Sequence, residues 1–168
     1  MQGEGARTRH RTASCQCGGL RLYVSGEPDF VNICHCQFCQ RRSGSAFSYN
    51  AYFARHVVDV SGVHSTFSRP GSEGRQVRNQ FCPSCGTTLF WHADLRPDYF
   101  GVAVGAFNDP AFASPMASLW EVSINAWLTL PKRLPRYRLG LPTASTNKIT
   151  AGSVQAPRGG REFEGDDL

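Results

Sequence analysis

The chain has 168 residues, 40% of them hydrophobic, with a formal net charge of +5 and a pI near 9.0. That length suits one domain with a sizeable core, and the absence of any run of about 18 apolar residues excludes a membrane-spanning helix. The basic residues are scattered singly, apart from Arg41-Arg42 and Lys132-Arg133, so no lysine-rich patch with interleaved aromatics points to nucleic acid.

Met1 to Arg11 is polar and basic without an apolar h-region, so no secretory signal is expected. Residues 1–12 are read as a disordered tail. Ala13-Ser14-Cys15-Gln16-Cys17-Gly18-Gly19 reads as a tight turn carrying two thiols, whose glycines free backbone amides to point at sulfur. Leu20 to Val24 alternates apolar and polar and predicts a half-buried strand. Phe30 to Ile33 is a second strand and delivers Cys34. Gln37 to Arg42 predicts a short helical turn, and Ser45 to Ala54 another strand. Val57–Val60 and Val63–Phe67 predict a hairpin around Ser61-Gly62, and Ser68 to Arg75 a loop. Gln76 to Phe81 and Thr87 to His92 are strands flanking Cys82-Pro-Ser-Cys-Gly86. Tyr99 to Phe107 is a strongly apolar strand, Asn108-Asp109-Pro110 a turn or helix start, and Leu119 to Ile124 the last strand. Trp127 and Leu134-Pro135-Arg136-Tyr137 are expected to close the domain by packing on it. Residues 13–139 form the expected domain, mostly β, and residues 140–168 a disordered tail rich in Pro, Thr, Ser and Gly.

The seven cysteines carry the chemistry. An odd count forbids full internal pairing, and the reducing cytoplasm, the expected compartment, disfavours structural disulfides. Cys34, Cys36 and Cys39 follow the spacing C-x-C-x-x-C, with Arg41, Arg42 and a small-residue turn directly after. Cys15-Cys17 and Cys82-Cys85 lie on either side of them. Buried core thiols would not cluster at such spacings, so metal ligation is the leading reading. Zinc is favoured, because the spacings match no iron–sulfur pattern. Spacing alone does not fix which cysteines share an ion. Cys34, Cys36 and Cys39 can reach one ion together, leaving Cys15, Cys17, Cys82 and Cys85 to make a closed four-thiolate site. A three-thiolate site keeps a fourth position for a ligand, the mark of catalytic rather than structural zinc. His35 is the alternative fourth ligand, but in an extended segment it points to the opposite face.

The motifs run Ser14-Cys-x-Cys-Gly18, Cys34-His-Cys-x-x-Cys-x-Arg-Arg-x-Gly-Ser-Ala-Phe47, Phe81-Cys-x-x-Cys-Gly-Thr87, Val104-Gly-x-Phe-x-Asp-Pro110, Trp127 and Leu134-Pro135. In that order they resemble the glutathione-dependent formaldehyde-activating enzyme family, whose domain is shared with centromere protein V. The resemblance spans about Ala13 to Tyr137. It implies a β-tent fold of coiled antiparallel sheets. It also implies two zinc ions, a structural one on Cys15, Cys17, Cys82 and Cys85 and a second on Cys34, Cys36 and Cys39. Two positions depart from the family pattern: Ser118 stands where many members carry histidine, and Asn79 where many carry arginine.

The implied activity is that of a carbon–sulfur lyase which binds glutathione as thiolate at the three-cysteine zinc and adds it to formaldehyde, giving S-hydroxymethylglutathione. Arg41 or Arg42 could grip a glutathione carboxylate. Gly44 and Ser45 could offer backbone and hydroxyl donors. Phe47, Tyr49, Phe53 and Trp91 are read as core. Two alternatives stay open: the same chemistry on a different thiol or electrophile, and a zinc-stabilised binding module without catalysis.

Overall fold

The computed structural model describes residues 9–71 and 74–141; the proposed C-terminal tail from Pro142 onward lies outside them. The fold is mainly β, as expected, with ten strands among the described residues. The first two, β1 (His10–Ser14) and β2 (Arg21–Ser25), form an antiparallel hairpin whose turn holds Cys15 and Cys17. Residues 10–12, assigned to the tail from sequence, are therefore paired backbone, with Thr12 opposite Tyr23 and Ala13 opposite Leu22. Next come β3 (Phe30–Cys34), helix α1 (Gln37–Ser43), β4 (Ser48–Ala54) and β5 (Val58–Ser61). Then follow β6 (Ser65–Pro70), β7 (Gln76–Phe81), β8 (Thr88–Ala93), β9 (Arg96–Ala103) and β10 (Ala117–Leu119).

The strands make two sheets, one of order β1-β2-β5 and one of order β10-β3-β4-β9-β8-β7-β6. All pairings are antiparallel except β10 on β3, which is parallel. The main core lies between the sheets. Ala13, Leu20, Leu22 and Val24 from the small sheet's hairpin meet Val31, Ala51, Phe53, Phe90, Phe100 and Val102 from the large one. Burying each of these larger side chains stabilises the fold by roughly 1.5–3 kcal/mol. The large sheet is covered on its other face as well. There Phe30 packs with Ala117, Leu119 and Tyr137, and α1 lies near Trp91 and Asn50. This two-sided cover explains why every residue of β3 is buried, Asn32 included.

Further sequence expectations need correction. The hairpin over residues 57–67 does not form: β5 pairs with β2 and β6 with β7, in different sheets. Gly62 makes the crossing possible. Its φ is +101°, and an added Cβ would fall 2.0 Å from the Gly19 carbonyl oxygen, so the chain changes sheets through a contact that only glycine allows. The apolar run from Tyr99 to Phe107 is not one strand; after Ala103 it tightens into a 3-10 turn, Val104–Phe107, that buries Val104 and Phe107 together. The last strand is Ala117–Leu119, and Trp120, at φ +59°, turns the chain into another 3-10 turn, Glu121–Ser123. Finally, Trp127 is 70% exposed rather than packed on the domain. Tyr137 does close it, buried and hydrogen-bonded through its amide to the Ser118 carbonyl. No helix among the described residues is long and apolar enough to cross a membrane.

Candidate metal centres

All seven cysteines are free, and their sulfurs gather in two groups. Cys15, Cys17, Cys82 and Cys85 form one, and Cys34, Cys36 and Cys39 the other. Within each group the sulfurs lie within 4.8 Å of one another.

The four-sulfur group joins the tips of two hairpins in different sheets. One tip is the β1–β2 turn and the other the β7–β8 turn. Local hydrogen bonding builds both knuckles the same way. The Gly18 amide donates to the Cys15 carbonyl at 3.0 Å and the Gly86 amide to the Cys82 carbonyl at 2.8 Å. Both glycines sit in the left-handed region, at φ +74° and +73°. The Leu20 amide then points at the Cys15 sulfur at 3.2 Å, as the glycine-rich turn predicts.

Cys15 and Cys17 sulfurs are 3.5 Å apart, and those of Cys17 and Cys82 3.6 Å. These separations far exceed a disulfide's ~2.05 Å. They approach the ~3.8 Å edge of a tetrahedron built with metal–sulfur distances of ~2.3 Å. The donor set also calls for a cation. Cys85 is held down to about 5, first by the Thr87 hydroxyl. Cys17 is pushed up to about 11: the Gly19 amide lowers it, but sharing with Cys15, Cys82 and Cys85 outweighs that. Four thiols this close cannot all ionise alone, because each new thiolate raises the next. A divalent cation removes the conflict.

The three-sulfur group is built by a strand end and a helix start. Cys34 closes β3, and its buried sulfur lies where that strand reaches α1. Cys36 caps the helix, with φ −60° and ψ 147°, its sulfur accepting the Cys39 amide at 3.4 Å. Cys39 follows one turn later, so the C-x-x-C spacing returns it to the same side. Here too the thiols compete. Cys36 is held down to about 2, by the thiols of Cys34 and Cys39 first and by the Arg69 charge last. Cys34 is pushed far up, first by Cys36. Unlike the first group, this one has no fourth ligand-type side chain beside it among the described residues.

His35, the alternative fourth ligand, is turned away. It is fully buried, its Nε2 3.1 Å from the Ser118 hydroxyl and its ring against Phe47. The two arginines after Cys39 divide. Arg41 is exposed. Arg42 turns inward and bonds Asn50 Oδ1 at 3.0 Å as well as the Ser48 hydroxyl. Its guanidinium stands 3.8 Å over the Trp91 ring, a contact worth ~2 kcal/mol where water is excluded. Asn50 in turn donates to Asn32. Arg42 is thus committed to holding α1 on the sheet.

Gly44 ends the helix in the left-handed conformation, φ +65°. Ser45 lines a cavity of about 510 Å³ shared with Arg42, Ser48, Thr87 and Cys85, on the side of the four-sulfur group. Phe53 is core, as read from sequence. Trp91 is buried but lies on the opposite face, under Arg42, and Tyr49 is half-buried against Phe112. Sequence reasoning missed Arg69. The loop expected from Ser68 begins only after Pro70, so Arg69 sits on β6, its guanidinium 4.2 Å from the Phe38 ring centre. No spacing or motif pointed to it.

The family described as glutathione-dependent formaldehyde-activating enzyme matches residues 10–123, which include all seven cysteines. No curated protein matches the sequence. Among solved structures, the crystal structure of a Rhodobacter sphaeroides protein is similar at 22% identity and a TM-score of 0.47, covering 59% of this chain and 91% of that one.

Proposed function

The chain belongs to the glutathione-dependent formaldehyde-activating enzyme family, and from that premise we propose that it is a carbon–sulfur lyase joining glutathione to formaldehyde at the Cys34, Cys36 and Cys39 cluster. One observation carries the reading. Three sulfurs converge there with no fourth protein ligand beside them among the described residues, whereas the other cluster brings four. A substrate thiolate completes such a set.

Both clusters fit zinc by donor chemistry and sulfur spacing. Zinc, when bound, supplies the positive charge that lets a substrate thiol, with an ordinary pKa near 8.5, remain a thiolate at neutral pH. The chain's own residues do the rest. Cys34, Cys36 and Cys39 fix where the substrate sulfur sits. Arg42, Ser48 and Asn50 hold α1, and so Cys39, in register with Cys34. Arg41, with Gly44 and Ser45, is the proposed grip on the peptide part.

The thiol gives up its proton to water, its sulfur attacks the formaldehyde carbon, and the C=O π pair moves to oxygen. That oxygen takes a proton from water to give S-hydroxymethylglutathione. No electrons are exchanged with a third party. Cys15, Cys17, Cys82 and Cys85 hold the structural zinc in this reading, and the β-tent arrangement and a cytoplasmic location go with it.

Calorimetry on the zinc-loaded protein tests the proposal, using glutathione and S-methylglutathione. Glutathione should bind and S-methylglutathione, which cannot form a thiolate, should bind far more weakly. Binding should strengthen as pH rises toward the thiol pKa, because coordination releases a proton. Equal binding of the two would mean that the peptide is held without the cluster. Binding of neither would leave a zinc-stabilised binding module.

A further inference from the structure

One cation beside the three-cysteine cluster has no acidic partner. Arg69 lies on β6, and its guanidinium rests 4.2 Å from the centre of the Phe38 ring. Phe38 belongs to the C-x-x-C turn itself, between Cys36 and Cys39, and is 47% exposed. The hydrogen bond recorded for the Arg69 side chain goes from Nη1 to the Pro70 carbonyl, at 3.0 Å. No carboxylate pairs with it among the described residues.

Two other arginines are already engaged, while Arg41 stands exposed on the helix after Cys39. Arg42 is bound to Ser48, Asn50 and Trp91, and Arg78 to Asp94. The position of Arg69 is fixed from both sides. β6 is locked to β7 over six residues, with Arg69 opposite Val77, and Phe38 is carried by the helix that also carries Cys39. A guanidinium stacked on a ring keeps its N–H edge free, and that edge matches a carboxylate bidentately.

We propose that Arg69, held on Phe38, selects thiols that carry a carboxylate over neutral thiols at the three-cysteine cluster. The inference rests on the reading of that cluster as a thiol site and names the class of thiol it takes. Arg69 acts on binding, on a part of the substrate remote from the reacting sulfur.

The test is calorimetry on the zinc-loaded full chain with two probes, glutathione and 2-mercaptoethanol, comparing wild type with Arg69→Gln, Arg69→Lys and Phe38→Leu. Arg69→Gln should weaken glutathione about tenfold, the scale of one charge-assisted hydrogen-bonded contact, and leave 2-mercaptoethanol unchanged. Arg69→Lys should recover part of the loss, since it keeps the charge without the fork. Phe38→Leu should shift glutathione in the same direction by less. The wild-type preference for glutathione should shrink as salt is raised. A thermal melt of each variant checks the fold. If Arg69→Gln leaves glutathione unchanged, or weakens both probes equally, the assignment is overturned while the thiol site stands. If wild type binds neither probe, the thiol-site reading itself falls.

Discussion

His35 and Ser118 meet side chain to side chain, the imidazole Nε2 3.1 Å from the serine Oγ, both residues fully buried. The bond ties the residue between two cluster cysteines to β10, and the His35 amide adds a second tie to the Leu119 carbonyl at 2.9 Å. The other ring nitrogen, Nδ1, is buried without a hydrogen-bond partner among the described residues. Ser118 stands at one of the two departures from the family pattern, and here it serves His35. Ser118→Ala strands a buried ring nitrogen, so a loss of about 1–3 kcal/mol is expected, with metal content unchanged. Denaturant unfolding read beside metal analysis checks both halves. Unaltered stability would show that the bond contributes nothing.

The two clusters should respond differently to loss of one sulfur. Cys82 belongs to the group that joins hairpin tips from separate sheets, so Cys82→Ser removes a link between distant segments. Structural zinc sites are worth ~10–16 kcal/mol in small metal-dependent domains, and Cys82→Ser should abolish a cooperative melt. Cys36 shares its cluster with Cys34 and Cys39, which lie within six residues of sequence and close no long loop. Cys36→Ser should therefore keep most of the melting temperature and lose glutathione binding. Equal drops in the two melts would make both clusters structural.

Much of this arrangement was legible in the sequence, for physical reasons that differ from place to place. Cysteine spacing marked out the group of Cys34, Cys36 and Cys39, because thiols within six residues can converge locally, but it left open the joining of Cys15 and Cys17 to Cys82 and Cys85, which depends on two hairpin tips meeting. Alternation exposed β2 and β4 because each has one face on the core or on the neighbouring layer. The sheet crossing at Gly62 was hidden, since two apolar runs around Ser-Gly look the same whether they pair with each other or part. What decides is the close approach to Gly19, a contact 43 residues away in sequence. Arg42 shows the same limit. Its sequence neighbours suggested a free cation, but Trp91, Ser48 and Asn50 claim it from other strands.

His92 offers a prediction about acid. It is partly buried, its ring 4.3 Å from the centre of Phe100 and 5.6 Å from that of Phe90. Its pKa is lowered, first by desolvation and then by Arg55, Arg78 and His64. The unfolded chain, with an ordinary histidine near pH 6.5, then binds the proton more readily than the folded one. Stability from a neutral His92 is full above about pH 6.5 and is lost as pH falls through the folded value. His92→Gln cannot titrate. The difference in melting temperature between wild type and His92→Gln should therefore be constant above pH 6.5 and move against wild type as the solution is acidified. Asp94, held low first by Arg78, is present in both proteins and cancels. A difference independent of pH between 5 and 8 would remove the argument.

Gly101 decides whether the three-cysteine cluster keeps its support. A Cβ there would fall 2.1 Å from Trp91 Cε2, so the indole lies directly on the glycine backbone. The opposing register places Trp91 beside Gly101 and Gly101 beside Tyr52, and Tyr52 meets the Trp91 ring edge-on. Arg42 stands on that indole, and α1, which carries Cys39, is held through Arg42. Gly101→Ala cannot be absorbed by the backbone, so the ring must move and Arg42 with it. Overpacking of this kind costs about 1–3 kcal/mol. Glutathione binding should weaken as well, while the four-sulfur cluster keeps its metal. The double variant Gly101→Ala with Trp91→Ala separates the clash from any direct effect of the methyl group. With the ring gone the three atoms nearest the extra Cβ are removed, so the double should cost no more than Trp91→Ala alone. This non-additivity is the signature of a shared contact. If the two losses add, the glycine acts through strand conformation instead, and Trp91 is not the route to α1.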